Sequence, residues 1–312
     1  MKPAFSVISF TTVAGAGQGL VVALACASLA GVPMAAPFLP LALGLALVLL
    51  GVGLMASFFH LGHPERAWRA MAMWRTSWLS REVIVLPLFM ALVFVWAVLS
   101  WRSPELVSSP VLPLLALAGA AALWVCTAQI YACIRFIQEW AHPLTLVNFT
   151  LIGLASGTVL ASALAASAGQ QALQSAALPW ALTLTFAAWA SRTASLMRNA
   201  SIKPKSSAQS ATGVKTARLV QKSMGMSAGA FNTREFFHGA TEAFVRNVRL
   251  AVHGLAFAAP AVLLMAAREP GGPQAGWLWA AVAAQAAGVM AERWLFFAQA
   301  RHPQNLYYQA VS

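Results

Sequence analysis

The sequence predicts an all-α, polytopic membrane protein with eight transmembrane helices and both termini in the cytoplasm. Three observations carry this expectation. Of 312 residues, 60% are hydrophobic and only 9% charged, with a mean hydropathy of +0.70, whereas a soluble domain carries about 25% charge. Uncharged runs recur that are long enough for a span, which needs ~20 apolar residues. The Lys and Arg residues are also divided unevenly between the connecting loops. This composition excludes a water-soluble globule, a collagen-like chain and a disordered chain. Residues 1–312 read as a single integral membrane domain, with a long basic cytoplasmic loop at 198–248.

The elements follow in order. No Asp, Glu, Lys or Arg occurs between Lys2 and Glu65, which leaves room for two helices, 5–30 and 36–60, turning at Gly31-Val32-Pro33. The first resembles a signal peptide in having Lys2 ahead of an apolar run. That run exceeds a secretory h-region and a second span follows at once, so an uncleaved helix is expected. A lipoprotein reading of Cys26 fails because Ala23, not Leu, stands three residues before it. Further helices are expected at 82–101, 111–136, 144–168, 178–197, 249–267 and 276–299, with the pair in 140–191 broken at Gly169-Gln170-Gln171. They are helices because backbone polar groups in lipid must be satisfied within the segment. Cys26, Cys126 and Cys133 all fall inside these helices and read as small packing residues.

Orientation follows from the basic residues. Lys2, Arg66, Arg69, Arg75, Arg81, Arg135, the ten basic residues from Arg192 to Arg249, Arg293 and Arg301 lie on the side of the N-terminus; Arg102 and Arg268 lie opposite. Six of the eight Glu residues share the basic side, so the strongly basic balance is one-sided. Anionic lipid or an acidic partner protein explains such a face, without nucleic acid.

Within the 198–248 loop, Ser201 to Thr216 reads as a mobile linker. The stretch MGMSAGAFNTREFFHGATEAF suits an ordered surface segment, with Thr233 as a helix cap. In the 60–82 loop, Pro64 suits a first helical position. A wheel from there gathers Ala67, Met71, Trp74 and Trp78 on one face of an interfacial amphipathic helix, with Arg75 breaking the pattern. His-Pro occurs at His63-Pro64, His142-Pro143 and His302-Pro303, each read as a helix termination with an interfacial histidine.

The densest polar group is FHLGHPERAWRAMAMWRTSWLSREV, residues 59–83. His60 closes the second helix and Glu82 opens the third, with Arg66 between them. Antiparallel neighbours bring His60 and Glu82 together. A titrating ring beside a carboxylate and a fixed cation suits two-electron, two-proton quinone chemistry: His60 bonds a carbonyl and passes a proton, and Glu82 relays it. Trp74 and Trp78 are placed to line access from the lipid. The bland reading makes Glu82 a dipole-stabilised carboxylate after a Ser80 cap, neutralised by Arg66. Haem would need facing His pairs, and only His253 lies well inside a span, so His253 reads as packed and this chain is expected to hold no haem and no metal. Glu292 reads as the partner of a base on another helix, Arg293 as snorkelling to the interface beside Trp294, and Gln18, between Gly17 and Gly19, as part of a close-packing patch. No phosphate loop, serine triad, dinucleotide fingerprint or cluster-binding Cys ladder occurs.

At HLGHPERAW and SWLSREV the sequence resembles the membrane-anchor subunit of the dimethyl sulfoxide reductase family. Those anchors carry an HLG-x-P-x-RA stretch after helix two and an S-x-E opening helix three, here His60-Leu61-Gly62, Pro64, Arg66-Ala67, and Ser80 with Glu82. The resemblance implies eight helices, a quinone site (ubiquinone or menaquinone) at His60, Arg66 and Glu82, and two partners: an iron–sulfur electron-transfer subunit and a molybdopterin catalytic subunit. NTREFFHGA and ERWLFFAQARHPQNLYYQ look more like the sulfite dehydrogenase branch, which passes electrons into the quinone pool of a bacterial inner membrane. The basic loops, with Arg69, Arg234 and Arg246, are then the expected docking face for the iron–sulfur subunit. Two rivals stay open: the anchor of a reductase that oxidises quinol, and, from another class, a secondary transporter. A transporter predicts broken helices and matching repeats near the midplane, whereas here the polar groups gather at one face.

Overall fold

The computed structural model describes residues 1–59, 61–103, 109–203, 205–220, 238–269, 272 and 274–303. Among these residues the chain is helical, with no strand. The helices are α1 (Phe5–Leu29), α2 (Phe38–Phe58), α3 (Trp78–Arg102), α4 (Val111–Ala132), α5 (Pro143–Ser167), α6 (Gln171–Ala200), the short α7 (Ala208–Thr212), α8 (Glu242–Ala266) and α9 (Gln274–Ala298). A 3₁₀ helix, Pro64–Met73, precedes α3. Six of them, α1 to α5 and α8, are long and apolar enough to cross a membrane. α6 and α9 are 30 and 25 residues long, but Gln171, Gln174, Arg192 and Arg198 in the one, and Gln274, Gln285, Glu292 and Arg293 in the other, make them less apolar.

Local chemistry sets several boundaries that hydropathy alone misplaces. α3 begins at Trp78, four residues earlier than expected. The hydroxyl of Ser77, not Ser80, is the cap, accepting the Ser80 backbone N–H at 3.3 Å. Two of the three His-Pro pairs open elements instead of ending them: His63 and His142 stand at the N-cap and their prolines at the first helical position. Proline loses nothing there, since that N–H has no helical partner. His142 Nδ1 accepts the Leu144 N–H at 3.2 Å, which requires a neutral ring. Burial, then the charge of Arg198, lowers its pKa and favours that form. α6 restarts directly after Gly169, whose φ of +65° turns the chain. It runs through Pro179 because Leu173, Ala177 and Leu178 find buried places ahead of it. The 201–216 stretch, expected as a linker, contains α7, held by a reciprocal cap between Ser207 and Ser210. α8 starts at Thr241-Glu242, where the Thr241 hydroxyl accepts the Phe244 N–H; the cap expected at Thr233 lies outside the described residues. Inside α8, Val252–Ala258 is π-helical.

Hydrogen bonds between loops and helix ends define two end layers. At one end the Met1 ammonium donates to the carbonyls of Phe297 and Ala298, the last residues of α9, and of Ala300. There too Trp140 Nε1 donates to Phe296 O, Arg198 Nη2 to Gln138 O, and Arg301 lies 3.9 Å from the buried carboxylate of Glu139. At the other end Ala35 N–H donates to Gln170 Oε1 and Gln174 to Gln274. Both Gln contacts join loops or helix starts that are distant in sequence.

α1 and α5 form the centre. Their apolar windows are 61% and 67% buried, against 28–44% for α2, α3, α4 and α8. They meet backbone to backbone: a Cβ on Gly19 would lie 1.9 Å from Gly153 O, and one on Gly157 would lie 1.9 Å from the Gly19 carbonyl carbon. Such contact needs small residues, because association in lipid relies on close packing and not on expulsion of water. Gly288 of α9 plays the same part under Ala256 in the π segment of α8. Gly157→Ala is therefore expected to force the helices apart and cost about 1–3 kcal/mol or more, the scale of overpacking. Gly44→Ala, whose new methyl meets nothing within 4 Å, should be neutral or slightly stabilising. Thermal unfolding in detergent followed by tryptophan fluorescence reads the difference.

Candidate functional site

The connection from α2 to α3 gathers Glu65, Arg66, Arg69 and Arg75 beside the start of α3. His60 lies outside the described residues. No residue of the 3₁₀ helix after it is buried. Three residues per turn, not 3.6, decide its faces. The apolar ridge is thus Trp68, Met71 and Trp74, which are 64%, 43% and 52% exposed. Met71 and Trp74 keep the places the wheel assigned; Trp68 replaces Ala67, and Trp78 belongs to α3, where it is half-buried. Cations cover the indoles: Arg69 over Trp68 at 5.5 Å, Arg75 over Trp74 at 5.4 Å and Arg81 over Trp78 at 4.2 Å. Arg75, which interrupts the wheel, has its place here. Arg81 also donates to the carbonyls of Trp74 and Arg75, tying the 3₁₀ helix to α3.

Arg66 and Glu82, expected together, take different partners. Arg66 Nε lies 3.7 Å from Glu65 Oε1, with both side chains open, and His63 Nδ1 is 3.0 Å from the same oxygen. Glu82, the fifth residue of α3, turns inward and is 6% exposed. Its carboxylate accepts a short hydrogen bond from the Thr127 hydroxyl of α4. A buried carboxylate needs such a donor, since desolvation of an unpaired charge is costly.

Thr127 also faces a cavity of about 20 Å³ between α1, α3, α4, α5 and α9, bordered by Thr11, Gln18, Trp124 and Arg293. That is room for one water, and the buried Trp124 Nε1 there has no hydrogen-bond partner among the described residues. Gln18 spends its amide on Ala120 O at 2.6 Å. Across the cavity Arg293 does not snorkel. It is 2% exposed, with its guanidinium 3.9 Å from the centre of the Phe149 ring. Glu292 beside it lies 2.8 Å from Arg192 Nε and 3.2 Å from Arg293 Nη1, all three side chains being 2% exposed or less. Both contacts are off the hydrogen-bond axis, so the pairing is chiefly Coulombic. Arg192 carries no special mark in the sequence; its place among loop cations hid that it ends inside the bundle. Its only signal was that it ends the uncharged run 140–191, with Arg198 following in the same helix.

These polar groups form one layer. Glu82 is four residues from the start of α3, Arg192 eight from the end of α6 and Glu292 six from the end of α9, or roughly 6–12 Å at 1.5 Å per residue. All three helix ends belong to the layer that holds Met1. Of the expected docking residues, Arg69 and Arg246 are exposed and Arg234 lies outside the described residues. Among the described residues no three His, Cys, Asp or Glu side chains converge as metal ligands.

The model of the DMSO reductase anchor subunit (DmsC) family matches residues 1–298. The chain belongs to that family. It is 48% identical to one subunit of the sulfite dehydrogenase of Allochromatium vinosum, over the full length of both chains. This protein is therefore a multi-pass membrane anchor subunit of a DMSO reductase-type complex, and such an anchor has catalytic and electron-transfer partners.

The shared carboxylate of Glu292 yields a stability prediction. Glu292→Gln strands two guanidinium groups and should cost ~3–5 kcal/mol, as breaking a buried pair does. Arg192→Met combined with Glu292→Met leaves one stranded guanidinium in place of two, Arg293 over the Phe149 ring, and should recover about half of the loss. Melting of the purified complex in detergent, compared across the three proteins, checks both statements.

Proposed function

We propose that this chain is the quinone-interacting anchor of a three-subunit molybdenum and iron–sulfur complex that oxidises sulfite and passes the electrons to quinone in a bacterial cytoplasmic membrane. The observation that carries this reading is the full-length, 48% identity to a subunit of a sulfite dehydrogenase. In this reading all eight long helices span the bilayer. The apolar faces of α6 and α9 together with the internal pairing of Arg192, Glu292 and Arg293 make those two helices compatible with lipid. Both termini are then cytoplasmic, as the one-sided Lys and Arg distribution requires.

The iron–sulfur subunit would dock on the layer that holds Met1, against Arg69 on the 3₁₀ helix, Arg246 on the first turns of α8, and Arg234. Electrons cross only short gaps usefully, so the quinone headgroup belongs near that layer. His60, Arg66, Glu82, Trp74 and Trp78 are the residues assigned to it. The Trp68–Met71–Trp74 ridge offers an apolar approach from lipid. Glu82, buried and bonded to Thr127, is placed to supply a proton from inside the bundle as the quinone is reduced, and the cavity behind Thr127 leads toward Arg293. Arg66, open to water, supplies positive potential at the rim. A pocket that is mostly apolar with a few convergent polar groups is the usual form of such a site.

Two measurements test the reading. Glu82→Gln or His60→Ala should leave assembly and sulfite-dependent dye reduction intact and lower sulfite-dependent quinone reduction roughly tenfold or more, the scale of losing a positioned proton donor. Full quinone reduction by both variants would remove these residues from the site, and a purified complex that reduces sulfoxides with quinol, and leaves sulfite untouched, would reverse the direction of flow. For the topology, reporter fusions after residues 105 and 272 should report periplasm and one after residue 220 cytoplasm; a periplasmic signal at 220 would overturn the orientation.

A further inference from the structure

The flank formed by α6 and α8 carries a groove that the Glu82 site does not use. It has a volume of about 540 Å³ and is lined by Phe186, Trp189, Ala190, Thr193, Met197 and His253. Its walls are apolar except at one point. The Thr193 hydroxyl donates to Trp189 O, which leaves His253 as the free side-chain donor among the described residues that line the groove.

The chemistry of that group is determined by Trp189. The indole Nε1–H, a donor with no acceptor capacity, points at His253 Nδ1 from 2.9 Å. Nδ1 must therefore hold a lone pair, and a ring with a bare Nδ1 is neutral with its proton on Nε2. No protein partner for Nε2 occurs among the described residues. The groove thus presents a single N–H donor in apolar surroundings and recognises an acceptor, not a cation or a second donor.

The aromatic groups narrow the choice further. Phe186, Trp189 and Phe257 are stacked nearly parallel, with centroids 6.3 and 6.2 Å apart and interplanar angles of 16° and 7°. The outermost ring, Phe186, is 45% exposed. A flat ring can extend this stack, which adds attraction beyond simple area burial. His253 itself lies in the π-helical segment of α8, an irregularity found frequently at functional sites, and Leu255 and Ala256 of the same segment are pressed on Gly288.

We propose that this groove is a second quinone-binding site, in which the His253 Nε2–H donates to a quinone carbonyl, the headgroup extends the Phe186–Trp189 stack, and the isoprenoid tail runs along Met197 into lipid. The inference rests on the quinone-linked reading above but uses different residues on a different flank. A phospholipid ester would satisfy the N–H alone; a planar ring with a carbonyl satisfies both the donor and the stack.

The test titrates the intact detergent-purified complex with a fluorescent heptyl-hydroxyquinoline N-oxide, a quinol analogue, and counts equivalents bound by fluorescence quenching. The wild type should bind two, His253→Phe one, and Glu82→Gln one, the second-site loss being distinct from the first. His253→Gln, which keeps an N–H donor, should bind two. Trp189→Phe, which frees the tautomer, should weaken the second site roughly fivefold, about the worth of one neutral hydrogen bond. One equivalent in the wild type, abolished by Glu82→Gln and untouched by His253→Phe, overturns the second site and upholds the first. One equivalent abolished by His253→Phe alone upholds the second site and overturns the first. No binding by the wild type overturns both. Phospholipid retained by the wild type and lost from His253→Phe, with analogue binding unchanged, assigns the groove to lipid and overturns the proposal.

Discussion

The contact on which this bundle depends is the backbone approach of α1 to α5 at Gly19, Gly153 and Gly157. In lipid, apolar side chains gain little by leaving their surroundings, so helix association rests on dispersion at short range. Three glycines let two helices touch along their main chains and make α1 and α5 the most buried spans. α2 and α4 then pack on α1, while α6 and α9 pack on α5. Gly288 repeats the device between α9 and the π segment of α8.

Close packing at the centre leaves little room for error in the polar layer above it. Arg192 and Glu292 are 100 positions apart, and Glu82 and Thr127 are 45 apart. Each pair meets only because its helices hold a particular rotation and depth. A buried ion pair contributes little net stability, since desolvation offsets much of the attraction. The pairing also constrains the helices: a wrong rotation of α6 or α9 would separate Glu292 from Arg192 and leave both charges unpaired. The same layer carries Glu82 and the one-water cavity toward Arg293, so the groups that stabilise register also provide the interior of the proposed quinone site.

The two flanks treat titratable groups differently. Around Glu82 the carboxylate is enclosed and tied to a hydroxyl, with cations stacked on indoles outside it. At His253 the ring faces an open groove, and a neighbouring indole selects its tautomer. One arrangement suits storage and release of a proton; the other suits recognition of an acceptor.

Much of the architecture was legible in the sequence because lipid imposes a one-dimensional rule. A run of ~20 uncharged residues is a helix wherever it lies, and the eight runs located this way correspond to α1 to α6, α8 and α9, with ends displaced where caps such as Ser77, His142 and Thr241 act. Glu82 stood out for the same reason, as a charge at the edge of an apolar run, and the HLG-x-P-x-RA and S-x-E residues directed attention to it. The faces of the helices were not legible. Spans such as α1, α2, α4 and α5 are apolar all round, so they carry no amphipathic stripe to show which side turns inward. Only the tertiary structure decided that Arg192 and Arg293 point inward to share Glu292, that Arg66 turns to Glu65 and away from Glu82, and that Trp189 meets His253. These are contacts between residues distant in the chain, selected by helix rotation and glycine-permitted approach, and no local pattern encodes them.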